Sequence, residues 1–128
     1  MVEVFVLICM LFAHIVDDYY LQGILASMKQ KAWWKKQESY KDLYKYDYIV
    51  ALIMHSFSWA FMVMMPIAFV MSFTITIEFV IALLVNTIIH CIVDNLKANK
   101  MKINLVADQL IHVGQIIVTF VVFAICLR

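Results

Sequence analysis

The stretch F-T-I-T-I-E-F-V-I-A-L-L-V-N-T-I-I-H-C-I-V-D-N-L-K at residues 73–97 decides the fold of this chain. A helix needs about 20 mainly apolar residues to cross the hydrocarbon core of a bilayer, and this run is long enough, with no Gly or Pro inside it. Near its end stand His90 and Asp94, which lipid tolerates poorly. Three further stretches share this character, at roughly 2–27, 46–67 and 104–127. Each is apolar, each is long enough to span, and each carries a few ionisable residues.

Composition points the same way. Hydrophobic residues make up 66% of the 128 positions and the mean hydropathy is +0.92, against about 45–50% apolar residues in soluble domains. A water-soluble domain of this size has too little interior to hide so much apolar surface. One Pro and two Gly leave little material for loops or hairpins. Inside lipid, backbone polar groups must then be satisfied within helices. The unbroken apolar runs lack the alternation of a transmembrane β-barrel. The expected fold class is therefore all-α, a four-helix transmembrane bundle forming one integral membrane domain over residues 1–128, with the lipid bilayer as its partner.

The connections are a polar, interfacial segment at 28–45, a short uncharged turn between Pro66 and Ser72, and a third from Ala98 to Asn104. Pro66 is expected to end or kink its helix. The N-terminal run lacks a basic leader and a small-residue cleavage site, and it ends in Asp17-Asp18, so it reads as a retained helix. Lys29, Lys31, Lys35, Lys36, Lys41 and Lys45 fall in the first connection and Lys97, Lys100 and Lys102 at the third, with Arg128 alone on the other side. The positive-inside rule places both lysine-rich connections in the cytoplasm and both termini outside.

In the first connection Trp33, Trp34, Tyr40, Tyr44, Tyr46 and Tyr48 interleave with lysines, as in an aromatic belt at headgroup level. Tyr40, Leu43, Tyr44 and Asp47 follow helical spacing, which suits a segment lying flat on the membrane. A formal net charge of +1 gives no reason to expect nucleic acid as a partner. Cys9, Cys91 and Cys126 are odd in number and lack C-x-x-C spacing, so they read as small packing residues.

The chemistry lies in the polar residues of the spans. His14 and Asp18 are on the first, His55 on the second, His90 and Asp94 on the third, and Asp108 and His112 on the fourth. A carboxylate at mid-bilayer costs on the order of 2.5–3.5 kcal/mol on insertion scales, so such groups face a protein interior. His14–Asp18, His90–Asp94 and Asp108–His112 are i,i+4 pairs, each presenting both side chains on one helix face. The order H-x-x-x-D reverses to D-x-x-x-H on the antiparallel fourth helix. Every Asp then lies nearer the cytoplasm, with its partner His about 6 Å deeper. His55 reaches a similar depth.

Neutral imidazoles and carboxylates are ligands for divalent metals, and helix-bundle cores commonly house them. His14, Asp18, His55, His90, Asp94, Asp108 and His112 are the expected metal ligands, enough for one or two ions. Zinc is expected first, with manganese or iron as alternatives. Asp18, Asp94 and Asp108 are the candidate catalytic carboxylates, and Gln22, Lys97 and Gln109 the candidate substrate-binding groups. Lys97 sits at the cytoplasmic rim, where snorkelling to the interface is the competing role. Asp17 points off the face of Asp18 and is expected at the rim. Gln115 is expected to make a helix–helix contact deeper in the bundle.

The pieces H-I-V-D-D-Y-Y-L-Q at 14–22, L-I-M-H-S at 52–56, H-C-I-V-D-N-L-K at 90–97 and A-D-Q-L-I-H at 107–112 resemble the domain-of-unknown-function family numbered 3307, small integral membrane proteins of bacteria and their phages. The family pattern H-x-x-x-D-F-x-L-Q falls on His14, Asp18, Leu21 and Gln22, with Tyr19 at the Phe position. The resemblance implies a shared polar core and a bacterial inner membrane setting, with phage origin as one source. It names no reaction. The repeated H-x-x-x-D is also similar to membrane-bound metal-dependent hydrolases, by analogy of motif alone.

The expected function is a metal-dependent membrane hydrolase acting on a lipid or a phosphorylated small molecule from the cytoplasmic face. The alternatives are a metal-ion or proton transporter or channel using the same cluster, and a structural or phage-encoded interaction protein whose cluster only packs the bundle. Assembly into a homo-oligomer suits the transporter.

Overall fold

The computed structural model describes residues 1–36 and 43–126, and every regular element among them is helical. Helix α1 spans Val2–Val16 and continues as a π-helical turn over Asp17–Leu21. Two short helices follow, α2 at Leu25–Met28 and α3 at Lys31–Lys35. The long helices α4 (Asp47–Val70), α5 (Ile77–Ala98) and α6 (Leu105–Val121) complete the bundle, and α6 runs into a second π-helical turn at Val122–Cys126. Four helical runs are long and apolar enough to cross a membrane: Val2–Leu21, Asp47–Val70, Ile77–Ala98 and Leu105–Ala124.

The first span stops earlier than the expected 27. Gly23 takes a positive φ of 47° just after the π turn, a conformation open to a residue without Cβ, and the chain turns there into α2. The second span runs further than expected, through Pro66 to Val70. Its end is closed by Ser72 and Phe73, both at positive φ, with the Phe73 amide donating to the Ala68 carbonyl across 2.8 Å. That bond satisfies a carbonyl the helix end would otherwise strand. Helices α5 and α6 begin at side-chain caps: Thr76 Oγ1 accepts from the Phe79 amide and Asn104 Oδ1 from the Ala107 amide. Such caps are worth about 1 kcal/mol each.

Helix α4 is the centre, packing against α1 on one side and α5 on the other, while α6 leans on α1 and α5. The outward faces are apolar, as in Phe5, Phe12, Ile88 and Leu110, each more than half exposed. The interior divides in two. Toward the termini lies an apolar core of Val6, Met10, Ala60, Val63, Met64, Ile67, Phe79 and Ile116, with Trp59 at its inner boundary. Toward the lysine-bearing connections the interior is polar. This is the inversion expected when lipid rather than water surrounds a bundle. The proposed interfacial helix over Tyr40, Leu43, Tyr44 and Asp47 depends on Tyr40, which lies outside the described residues, as do Lys41 and Arg128.

Candidate functional site

All seven expected ligand residues converge in the polar half and are buried, none more than 6% exposed. His55 is the hub. Its Nε2 lies 3.2 Å from His90 Nε2, 3.2 Å from Asp94 Oδ2 and 3.4 Å from Asp18 Oδ1. Donor atoms of Asp18, His55 and His90 fall within 4.8 Å of one another, and so do those of His90, Asp94 and His112. The two groups share His90. Its ring is clamped between Trp59, centroids 4.3 Å apart, and His112, at 4.1 Å.

Of the three i,i+4 pairs, two meet directly: His112 Nε2 lies 3.4 Å from Asp108 Oδ1, and His90 Nε2 lies 3.9 Å from Asp94 Oδ2. His14 and Asp18 meet through Gln109 instead. The Trp59 indole N–H can only donate, and it does so to His14 Nδ1 at 2.8 Å. His14 therefore carries its proton on Nε2 and donates it to Gln109 Oε1 at 3.0 Å. That orients the Gln109 amide, whose nitrogen donates to Asp18 Oδ2 at 2.9 Å and to Asp108 Oδ2 at 3.1 Å. One glutamine thus ties α1 to α6 and sets two carboxylates.

Two lysines close the lysine end. Lys97 turns inward to Asp108, Nζ to Oδ2 2.6 Å, rather than reaching out to the interface. Lys29, from the end of α2, reaches Asp94 at the same 2.6 Å and is almost fully buried. Asn99 holds it there: its amide nitrogen donates to the Lys29 carbonyl at 3.0 Å, and its oxygen accepts from the Lys31 amide at 2.7 Å. Sequence reasoning missed Lys29 because it lies in a polar connection. A lysine that close to a span containing unpaired carboxylates was the available signal.

Asp17 is a correction. Expected at the rim, it is 1% exposed and accepts from the Ser58 hydroxyl of α4 at 2.7 Å. In an α-helix adjacent residues point about 100° apart. The chain winds as a π turn over Asp17–Leu21, and there both carboxylates turn inward, Asp17 to Ser58 and Asp18 to His55 and Gln109. Gln22, expected to meet substrate, donates to the Asp18 backbone carbonyl, and its Oε1 is buried without a partner among the described residues.

The half toward the termini is not wholly apolar either. Gln115 makes its expected helix–helix contact, donating to the Asn86 backbone and side-chain oxygens at 2.8 and 2.9 Å. Asn86 in turn donates to Thr119 at 2.9 Å. Gln115 Oε1 lies 3.5 Å from His112 Nδ1, so this polar branch starts at the cluster. Cys9 and Cys91 are free and partly buried, away from any pairing.

Fold and site together define an integral membrane protein, a helical bundle enclosing a buried His/Asp cluster. The chain belongs to the family described as "Protein of unknown function (DUF3307)", whose model matches residues 6–127. No curated protein and no solved structure matches the chain.

Proposed function

We propose that this protein is a membrane-embedded, metal-dependent enzyme that hydrolyses an ester or phosphoester of a lipid at its lysine-bearing end. Asp18, His55, His90 and Asp94 would hold a divalent cation, with Asp108 and His112 beside it as further ligands or as the base. The observation that carries this reading is the convergence on His55 Nε2. A single ring nitrogen offers at most one proton, yet two carboxylate oxygens and one imidazole nitrogen surround it within 3.4 Å. A tetrahedral zinc site with ligand distances of about 2.0–2.1 Å has ligand-to-ligand edges of about 3.3 Å, close to those three separations.

Charge supports the same reading. Asp17, Asp18, Asp94 and Asp108 are set against Lys29 and Lys97, which leaves a formal charge of −2 if all are ionised. One divalent ion balances it. Zinc suits the mixed nitrogen and oxygen donors, with manganese or iron next. When bound, such an ion polarises a carbonyl or phosphoryl oxygen and activates water. His14 has both nitrogens engaged by Trp59 and Gln109, so its role here is to orient rather than to ligate. Lys97, with a third of its side chain exposed, is the group placed to meet an anionic substrate. The setting we propose is a bacterial inner membrane, with both lysine-bearing connections in the cytoplasm.

A second reading, transport of a proton or metal ion, is favoured by the polar branch from His112 through Gln115 to Asn86 and Thr119. One experiment separates the two. Protein purified in mild detergent without added metal is assayed for metal content, for hydrolysis of ester and phosphoester lipids, and for metal uptake in sealed liposomes. The enzyme reading expects stoichiometric metal, turnover and no flux, with Lys97→Ala lowering turnover while metal stays bound. Flux without chemistry supports transport. Absence of metal in protein that remains folded would overturn both metal roles.

A further inference from the structure

Outside the His/Asp cluster, one feature is built as a binding site. Between α3 and the start of α4 lies a pocket of about 660 Å³, within the roughly 300–1,000 Å³ usual for small-ligand sites. Lys31, Lys35 and Lys45 line it. Trp34, Tyr44, Tyr46 and Tyr48 form its walls. Two of the ammonium groups rest on aromatic faces, Lys31 Nζ 4.7 Å from the Tyr48 ring centre and Lys45 Nζ 5.4 Å from that of Tyr46. None of the three lysines pairs with a carboxylate among the described residues. Lys31 and Lys45 are held in place by π faces, and among the described residues all three ammonium groups remain open to an anion.

The walls are fixed. The Trp34 indole donates to the Met28 carbonyl at 2.6 Å and packs on the Tyr44 ring at 5.5 Å. Lys31 is anchored through its own amide to Asn99, the residue that also grips Lys29. The pocket and the lysine end of the buried cluster are therefore tied to each other through Asn99.

Its location narrows the ligand. Tyr46 immediately precedes the first residue of the α4 span, so the pocket lies where the hydrocarbon region gives way to headgroups. Trp and Tyr settle at that level, and basic residues there attract anionic lipids. A phosphate accepts charge-assisted hydrogen bonds from several ammonium groups at once. From this we infer that the pocket binds the phosphate headgroup of an anionic membrane lipid. The inference stands apart from the metal reading, since it uses none of the cluster's ligands.

The test follows tryptophan fluorescence of the intact protein in uncharged detergent. Dihexanoyl phosphatidylglycerol, dihexanoyl phosphatidylcholine and inorganic phosphate are titrated separately, with and without chelator. The expected result is a saturable change with phosphatidylglycerol, weakened by salt, unaffected by chelator, and at least about tenfold weaker in the K31Q/K35Q/K45Q variant. Lys45→Gln alone removes a charge from an exposed side chain and keeps the test valid should the triple variant fold poorly; a several-fold loss is expected. Equal response to phosphatidylcholine, or variants that bind like the parent, would overturn the inference. Inorganic phosphate saturating the signal as tightly as the lipid would keep the phosphate chemistry and overturn the lipid as its source.

Discussion

His55 and His90 meet nitrogen to nitrogen, their Nε2 atoms 3.2 Å apart at the fully buried centre of the bundle. Carboxylate oxygens of Asp94 and Asp18 lie at 3.2 and 3.4 Å from the same His55 atom. Four groups that mostly accept thus face one another. We expect His55→Ala and His90→Ala each to abolish metal retention in protein that still inserts and folds. His14→Ala should keep metal but weaken it by about 10–100-fold, as orienting partners of ligands do. Elemental analysis after dialysis decides the matter, and equal metal content in all three variants would assign the cluster to packing.

The His14 tautomer rests on a single donor. Trp59→Phe keeps an aromatic ring against His90 and removes only the N–H that His14 Nδ1 accepts. Ring-nitrogen NMR of labelled protein should then show His14 losing its fixed Nε2–H form. The loss of one buried hydrogen bond should cost roughly 1 kcal/mol of stability. An unchanged His14 spectrum would mean that Gln109 alone sets the proton.

Lys29 and Asp94 form a buried pair, 2.6 Å apart. Removing one partner strands the other charge, which typically costs about 3–5 kcal/mol. Lys29→Met should therefore unfold the bundle at markedly lower temperature or denaturant. Lys29→Met combined with Asp94→Asn should recover most of that loss. If the double variant is no better than the single one, the ion pair is not what Lys29 contributes.

Orientation can be read in intact cells. In a background lacking Cys9, Cys91 and Cys126, cysteines placed at Lys36 and Lys100 should resist an impermeant reagent applied outside and react once the membrane is opened. Residues added at either terminus should react from outside. Labelling of position 36 in sealed cells would reverse the topology and place the site on the other face.

Gly114 faces open space between α5 and α6, where an added Cβ meets nothing within 4 Å. Glycine inside a helix costs about 0.5–1 kcal/mol relative to alanine. Gly114→Ala should accordingly raise the unfolding midpoint. A fall instead would indicate that another helix, such as one from a second copy, packs on this groove in the membrane.

Residue type and spacing alone determined the membrane-spanning class, because no other solvent accommodates runs like 73–97. The i,i+4 order of His and Asp on antiparallel helices also determined that His14, Asp18, His55, His90, Asp94, Asp108 and His112 share a depth. Periodicity reports which face and which level a side chain occupies. It cannot report which atom of a neighbouring helix that side chain meets, since this depends on interhelical rotation of a few ångströms. Only the tertiary structure decided that His14 is occupied by Trp59 and Gln109, and that His55 is the hub. Only the tertiary structure showed Asp17 inside, at the start of a π turn that leaves no signal in composition and against Ser58 of α4. Lys29 was hidden for a related reason. Its burial depends on Asn99, which lies 70 residues away and ties down the connection that carries it.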